Sequence, residues 1–171
     1  MKVIQVVKTN RGATWAYNQA KYLHNMGVDI VTVLPDDVNG YAKFYKEKGL
    51  RIIKGDWSLP ITRPWHVTKK IKEINNVIEN EKPDLIHLHF VTNVFMVRIA
   101  LHKDKTPRLF QVPGPLHLEN RFFRFLDKRL STSVDYWAGA CEKTCSIYRN
   151  LGLNLNRIFL AYYGTFKNEF C

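Results

Sequence analysis

The sequence predicts an α/β fold: one doubly wound, mostly parallel sheet of about seven strands spanning residues 1–171. Seven short strand-like runs alternate with helical patterns, and that alternation implies parallel pairing through right-handed crossovers. Gly, Pro, Asn and Asp punctuate the runs. No internal repeat, low-complexity tract or flexible linker divides the chain, so a single domain is expected.

Val3–Val7 opens as a short apolar strand of the kind buried on both faces. Thr9-Asn10-Arg11-Gly12 makes a turn, with Asn10 the expected N-cap of the first helix. In that helix Ala16, Ala20 and Leu23 recur at helical spacing up to Met26, and Gly27 supplies the stop. Asp29–Leu34, closed by Pro35, is the second strand. A short helix through Tyr41, Phe44, Tyr45 and Lys48 ends at Gly49, before a third strand at Leu50–Ile53. Trp57–Trp65, with two prolines and two tryptophans, is expected to be a structured loop. Val67, Ile71, Ile74, Val77 and Ile78 then hold one face of an amphipathic helix that Pro83 ends. Asp84–His89 is the fourth strand and Val94–Leu101 a buried helix. Arg108–Val112, Tyr136–Ala140 and Arg157–Ala161 are strands five to seven, with a helix at Glu142–Asn150 stopped by Gly152.

Composition narrows the function classes. A content of 46% hydrophobic and 13% aromatic residues supports a core without disulfide staples. Cys141 and Cys145 lie one helical turn apart and Cys171 is terminal, which fits free thiols in a reducing cytoplasm. No signal-peptide pattern follows Met1-Lys2. Phe90–Leu101, broken by Asn93 and Arg98, is too short to span a bilayer. The net charge of +11 points to nucleic acid, an anionic membrane or an anionic substrate, with a merely basic surface as the alternative. Zinc-finger spacing, an aromatic RNP signature and a recognition helix are all missing, so no nucleic-acid partner is expected. The segment 120–130 is the membrane candidate. As a helix it sets Arg121, Arg124 and Lys128 on one side and Phe122, Phe123, Leu126 and Leu130 largely on the other, with Phe125 and Arg129 near the boundary. Core packing of the phenylalanines is the competing explanation.

Ligands of an open parallel sheet bind beyond the carboxyl ends of its strands. Here those positions hold Asn10-Arg11-Gly12, then Thr92 and Asn93, then Gly114 and His117, then Cys141-Glu142-Lys143, and finally Tyr162, Tyr163 and Gly164. Gly12 suits close backbone approach to an anion at a helix start. The turn lacks the G-x-G-x-x-G spacing of a dinucleotide site. His87 and His89 share a strand face, but with no third ligand spaced nearby they are expected to be buried and hydrogen-bonded, with no metal bound.

Four segments carry a family resemblance: Val3–Val7 with Arg11-Gly12-Ala13; residues 20–33; Lys82-Pro83-Asp84-Leu85-Ile86-His87-Leu88-His89; and Ile158–Gly164. In order and spacing the chain resembles the N-terminal, acceptor-side half of a family-4 glycosyltransferase of the GT-B fold, a Rossmann-like domain. That resemblance implies a nucleotide-sugar donor, a lipid-linked or glycan acceptor, no cofactor, and reaction in a cleft between two domains. The setting it implies is envelope or capsular polysaccharide synthesis by an enzyme peripheral to the inner face of the membrane. It puts Gly12 near the donor diphosphate, with Arg11, Asn93, Gly114, Glu142, Lys143 and Tyr163 along the cleft. His117 is the matching candidate for the family's catalytic cleft histidine.

Two departures accompany the match. Many relatives carry paired glycines where this chain has Arg11-Gly12. The donor-binding C-terminal domain, with its glutamate pair separated by seven residues, is not encoded within residues 1–171. Glu73 and Glu81 share that spacing but lie on and just past the amphipathic helix, where a solvated face is expected. The chain is therefore expected to be half of an enzyme, completed by further sequence or by a donor-binding partner chain and inactive by itself. The alternative is a non-catalytic binding or regulatory protein that keeps the acceptor-domain fold.

Overall fold

The computed structural model describes residues 1–112, 114 and 116–162. Its elements run β1 (Lys2–Val6), α1 (Thr14–Asn25), β2 (Asp29–Leu34), α2 (Tyr41–Glu47), β3 (Arg51–Lys54), α3 (Val67–Glu81), β4 (Leu85–Leu88), α4 (Val91–Ala100), β5 (Arg108–Val112), α5 (Leu116–Glu119), α6 (Arg121–Leu130), β6 (Asp135–Gly139), α7 (Glu142–Asn150) and β7 (Ile158–Leu160). All seven strands pair in parallel in the order β3-β2-β1-β4-β5-β6-β7. Connections run one way from β1 to β3 and the other way from β4 to β7. The topological switch point therefore falls between β1 and β4, where α/β sheets open a ligand crevice.

Alternation along the buried strands assigns the helices to two layers. Val7, Ile30 and Leu34 pack with Ala16 and Ala20 of α1 and with Ala42 and Tyr45 of α2. Ile4, Val6, Val31, Val33, Ile86, Leu88, Phe110 and Trp137 belong to the larger core on the other face, with α3, α4, α6 and α7. α3 shows how the sequence dictates this. Ile74 and Ile78 are buried, and the residue before Pro83 is barred from continuing a right-handed helix. Lys82 accordingly turns left-handed at φ 46° and caps the helix end. β6 meets α7 so closely that a Cβ on Gly139 would come within 2.6 Å of Cys145 Sγ.

Two local expectations are corrected and a third is refined. Asn10 is not the cap of α1. Ala13 occupies that position without a side-chain bond, and the Asn10 amide donates to the carbonyls of Asp36 and Asn39 instead, tying the turn after β1 to the loop after β2. The two tryptophans of the 57–65 loop part company: Trp57 is core, whereas Trp65 is 70% exposed. Glu81 is not a solvated helix residue. It lies half-buried in ion pairs with Lys2 (2.6 Å) and Arg51 (2.8 Å) at the amino edge of the sheet.

Candidate functional site

The strand order gathers the expected cleft residues along the carboxyl edge, at the ends of four neighbouring strands. Arg11 and Gly12 follow β1, Asn93 follows β4, Gly114 and His117 follow β5, and Glu142 and Lys143 follow β6. Tyr163 lies outside the described residues. Arg11 and Gly12 are exposed. Gly12 sits at φ 69°, a conformation that excludes other side chains more effectively than space does, since a Cβ there would meet nothing. Glu142 and Lys143 are exposed on the first turn of α7, and Glu142 pairs with Arg149 at 3.1 Å, a surface contact worth little. Asn93 is 1% exposed, and its side-chain carbonyl has no hydrogen-bond partner. A shallow depression lined by Ile78, Lys82, Pro83, Asp104 and Thr106 lies at the opposite edge and brings none of these groups together.

Under the switch point lies a polar layer that the residue pattern only half announced. Gln5 shares its register with Thr32 on one side and His87 on the other. The Gln5 amide donates to the Ala16 carbonyl (3.2 Å), reaches Gln19 Oε1 (3.3 Å) and lies 3.2 Å from His89 Nε2, while Gln111 Oε1 meets His87 Nε2 at 2.9 Å. Gln19 bridges to Gln111 at 3.1 Å, and the Trp15 ring meets the His89 ring edge-on at 4.5 Å. The two histidines are thus buried and hydrogen-bonded, as expected. Gln5 and Gln111 were the missed members. Their signal was polar residues at alternate positions of strands that are otherwise apolar.

Burial pushes the His87 imidazole down to about 4, only partly offset by the Gln111 hydrogen bond, and burial together with neighbouring His87 holds His89 well below its usual value. The folded state therefore resists a proton that the unfolded chain accepts below about pH 6.5. Stability is full above that pH and falls as the pH drops toward 4. For His87 alone the loss at pH 5 is about 2 kcal/mol, or roughly 4–8 °C in melting temperature for a chain of this size. Thermal melts at pH 7 and pH 5 should show this drop, and His87→Gln should shrink it. An unchanged difference in the variant would refute the assignment.

His117 lies on the short helix α5, and its side chain turns into the domain at 10% exposure. Its Nε2 is 3.2 Å from the Tyr148 hydroxyl and 3.8 Å from Asp127 Oδ2, and its ring lies tilted against Phe110 with centroids 5.5 Å apart. Asp127 belongs to a fully buried ionic network with Arg98, Asp135 and Arg108. The sequence pattern did not announce this network, because its members stand in four separate elements.

On α6, Asn120 caps the helix by accepting from the Phe122 and Phe123 amides at 2.8 and 3.4 Å. The phenylalanines do not segregate as expected. Phe123 turns inward with Leu126 and Leu130 and stacks on Phe95, partly buried against the core. Phe122 and Phe125 are both 62% exposed, among Arg121, Lys128 and Arg129, with Arg124 half-buried. No helix among the described residues is long and apolar enough to cross a membrane. No three metal-binding side chains cluster among them.

Glycosyltransferase Family 4 matches residues 12–165 of the chain. The chain belongs to glycosyltransferase family 4. No curated protein matches its sequence. Among solved structures, it is similar to Anabaena Alr3699/HepE in complex with UDP and glucose, with TM-score 0.73 and 14% identity over 98% of this chain and 46% of that one. It also resembles the UDP-GlcNAc 2-epimerase of Methanocaldococcus jannaschii (TM-score 0.67, 21% identity, 94% and 45%) and Acinetobacter baumannii MurG (TM-score 0.63, 13% identity, 96% and 46%). At these identities the likeness shows the fold, the N-terminal half of GT-B. The family-4 chain spans less than half the length of each of these structures.

Proposed function

We propose that this domain is the acceptor-side half of a glycosyltransferase that moves a sugar from a nucleotide diphosphate to a lipid-linked or glycan acceptor. Envelope or capsular polysaccharide assembly at the inner face of the membrane is the setting. The observation that carries the proposal is the family match over residues 12–165. The carboxyl edge of the sheet supplies the acceptor-side wall of the cleft, with Gly12 and Arg11 facing the diphosphate and the loop that carries His117 beside the transferred sugar. Alr3699/HepE, crystallised with UDP-glucose, supports a nucleotide-sugar donor. One wall cannot enclose a pyrophosphate or exclude water from it. The 171 residues alone are therefore expected to bind UDP- and GDP-sugars no tighter than roughly millimolar in calorimetry and to transfer nothing. Transfer should appear when a donor-binding domain is supplied, fused or in trans. Micromolar binding or turnover by the isolated domain overturns the division of labour. Persistent inactivity with every donor domain supplied favours the non-catalytic binding protein.

The exposed face of α6 is proposed as the membrane contact, two aromatic rings set among basic side chains. Binding to vesicles should rise with anionic lipid and fall with salt, since the Debye length is about 10 Å at 0.1 M. Replacing Arg121, Arg124 and Lys128 by glutamate should abolish co-sedimentation without unfolding the domain. Equal pelleting of the triple variant would assign the +11 charge to another partner.

A further inference from the structure

Asp127 is fully buried at the middle of α6, yet its two carboxylate oxygens have different surroundings. Oδ1 is engaged twice, by the Arg98 guanidinium and by the Trp137 indole N–H at 3.4 Å. Oδ2 has no hydrogen-bond partner among the described residues, and it faces His117 Nε2 at 3.8 Å, an ion-pair distance. The carboxylate stays ionised. Burial opposes the charge, but the Arg98 guanidinium, with the His117 imidazole nearby, outweighs it and holds the pKa below the usual range. The Tyr148 hydroxyl stands 3.2 Å from the same histidine nitrogen. Burial, and then the Asp127 charge, push its pKa well above the ordinary value, so it remains a neutral hydroxyl that can donate to Nε2 or accept from it according to the histidine tautomer.

A carboxylate oxygen aimed at an imidazole nitrogen in a water-poor site repels a lone pair there and favours a proton. We propose that Asp127 is a positioning residue that holds His117 in a single orientation as the Nε2–H tautomer, leaving Nδ1 as the lone-pair nitrogen. Its consequence for transfer rests on the cleft role proposed for His117; the pairing itself does not. Asp127 also makes α6 the element that sets this histidine. The same helix carries Phe122 and Phe125 outward and Asp127 inward, anchored to β6 through Trp137 and to α4 through Arg98. Among the described residues no carboxylate pairs with His87 or His89, whose Nε2 atoms meet glutamine side chains.

The test is two-bond proton–nitrogen correlation NMR of the 171-residue chain labelled with 15N-histidine, at a pH where the rings are neutral. His117→Gln assigns the resonances by removing them. The wild-type ring is expected to show one protonated nitrogen, Nε2, and the Asp127→Asn ring a mixture of tautomers. Tyr148→Phe, which leaves Asp127 and Arg98 in place, is expected to keep the single Nε2–H form. A mixture or an Nδ1–H ring in the wild-type chain overturns the proposal, and that measurement needs no variant other than the assignment control. So does loss of the preference in Tyr148→Phe alone, which would make the hydroxyl the orienting partner. With a donor-binding domain supplied, Asp127→Asn should lower kcat on the order of 10-fold and add nothing in a His117→Ala background. A single Nε2–H tautomer combined with a silent His117→Ala would leave the pair standing and remove the functional reading of His117 instead.

Discussion

Arg98→Met is expected to lower the melting temperature by roughly 6–20 °C. Arg98 joins Asp127 through Nη1 and Asp135 through Nε at 3.0 Å, with all three side chains at most 1% exposed. Burial opposes its charge, but the two carboxylates more than compensate and raise its pKa. A methionine fills most of the same space but loses the guanidinium over Trp137, leaves Asp127 without its cation and leaves Asp135 with Arg108 only. Breaking a buried pair from one side costs about 3–5 kcal/mol, because the surviving charge is uncompensated. Removing that charge as well, in Arg98→Met with Asp127→Asn, should recover at least half of the lost melting temperature. A single variant that melts within about 2 °C of the parent would mean that water reaches the network, and its burial would be refuted.

His117→Ala is expected to slow the reconstituted enzyme by on the order of 10- to 1000-fold, a few kcal/mol of transition-state stabilisation. The loss should fall mainly on kcat. A histidine near the transferred sugar acts most as positive charge builds at the anomeric carbon, and interactions made only in the transition state act on turnover. Acceptor affinity should change little. Because His117 also touches Tyr148 and faces Asp127, the variant must be shown to melt like the parent before the kinetics are interpreted. His87→Ala is the contrasting control. Its ring sits inside the polar layer at 4% exposure, so its loss should reduce melting temperature and soluble yield rather than turnover alone. Full activity in His117→Ala would show that the family's cleft histidine has been carried to the wrong position.

What the sequence determined by itself was whatever repeats at short range. Apolar runs such as Val3–Val7 and Asp29–Leu34 are strands because only a two-sided burial suits them, and Ile74 and Ile78 locate the buried stripe of α3 without any knowledge of partners. Strand–helix alternation then sets the parallel sheet, and the parallel sheet sets the edge on which Gly12, Asn93, His117 and Lys143 meet. Asn10 marks where local rules stop. Its type suits an N-cap, but the loop after β2 offers two carbonyls that no local spacing encodes. The helical wheel of α6 likewise separates two faces but cannot say which one the core takes. Phe123 goes inward and Phe125 outward because Phe95 and the body of α4 stand on one side. Only the tertiary structure could bring Arg98, Arg108, Asp127 and Asp135 together from α4, β5, α6 and β6, and only it could turn His117 toward one oxygen of Asp127. Periodicity is a property of neighbours along the chain, whereas the pairing of buried charges depends on which elements the folded sheet makes adjacent.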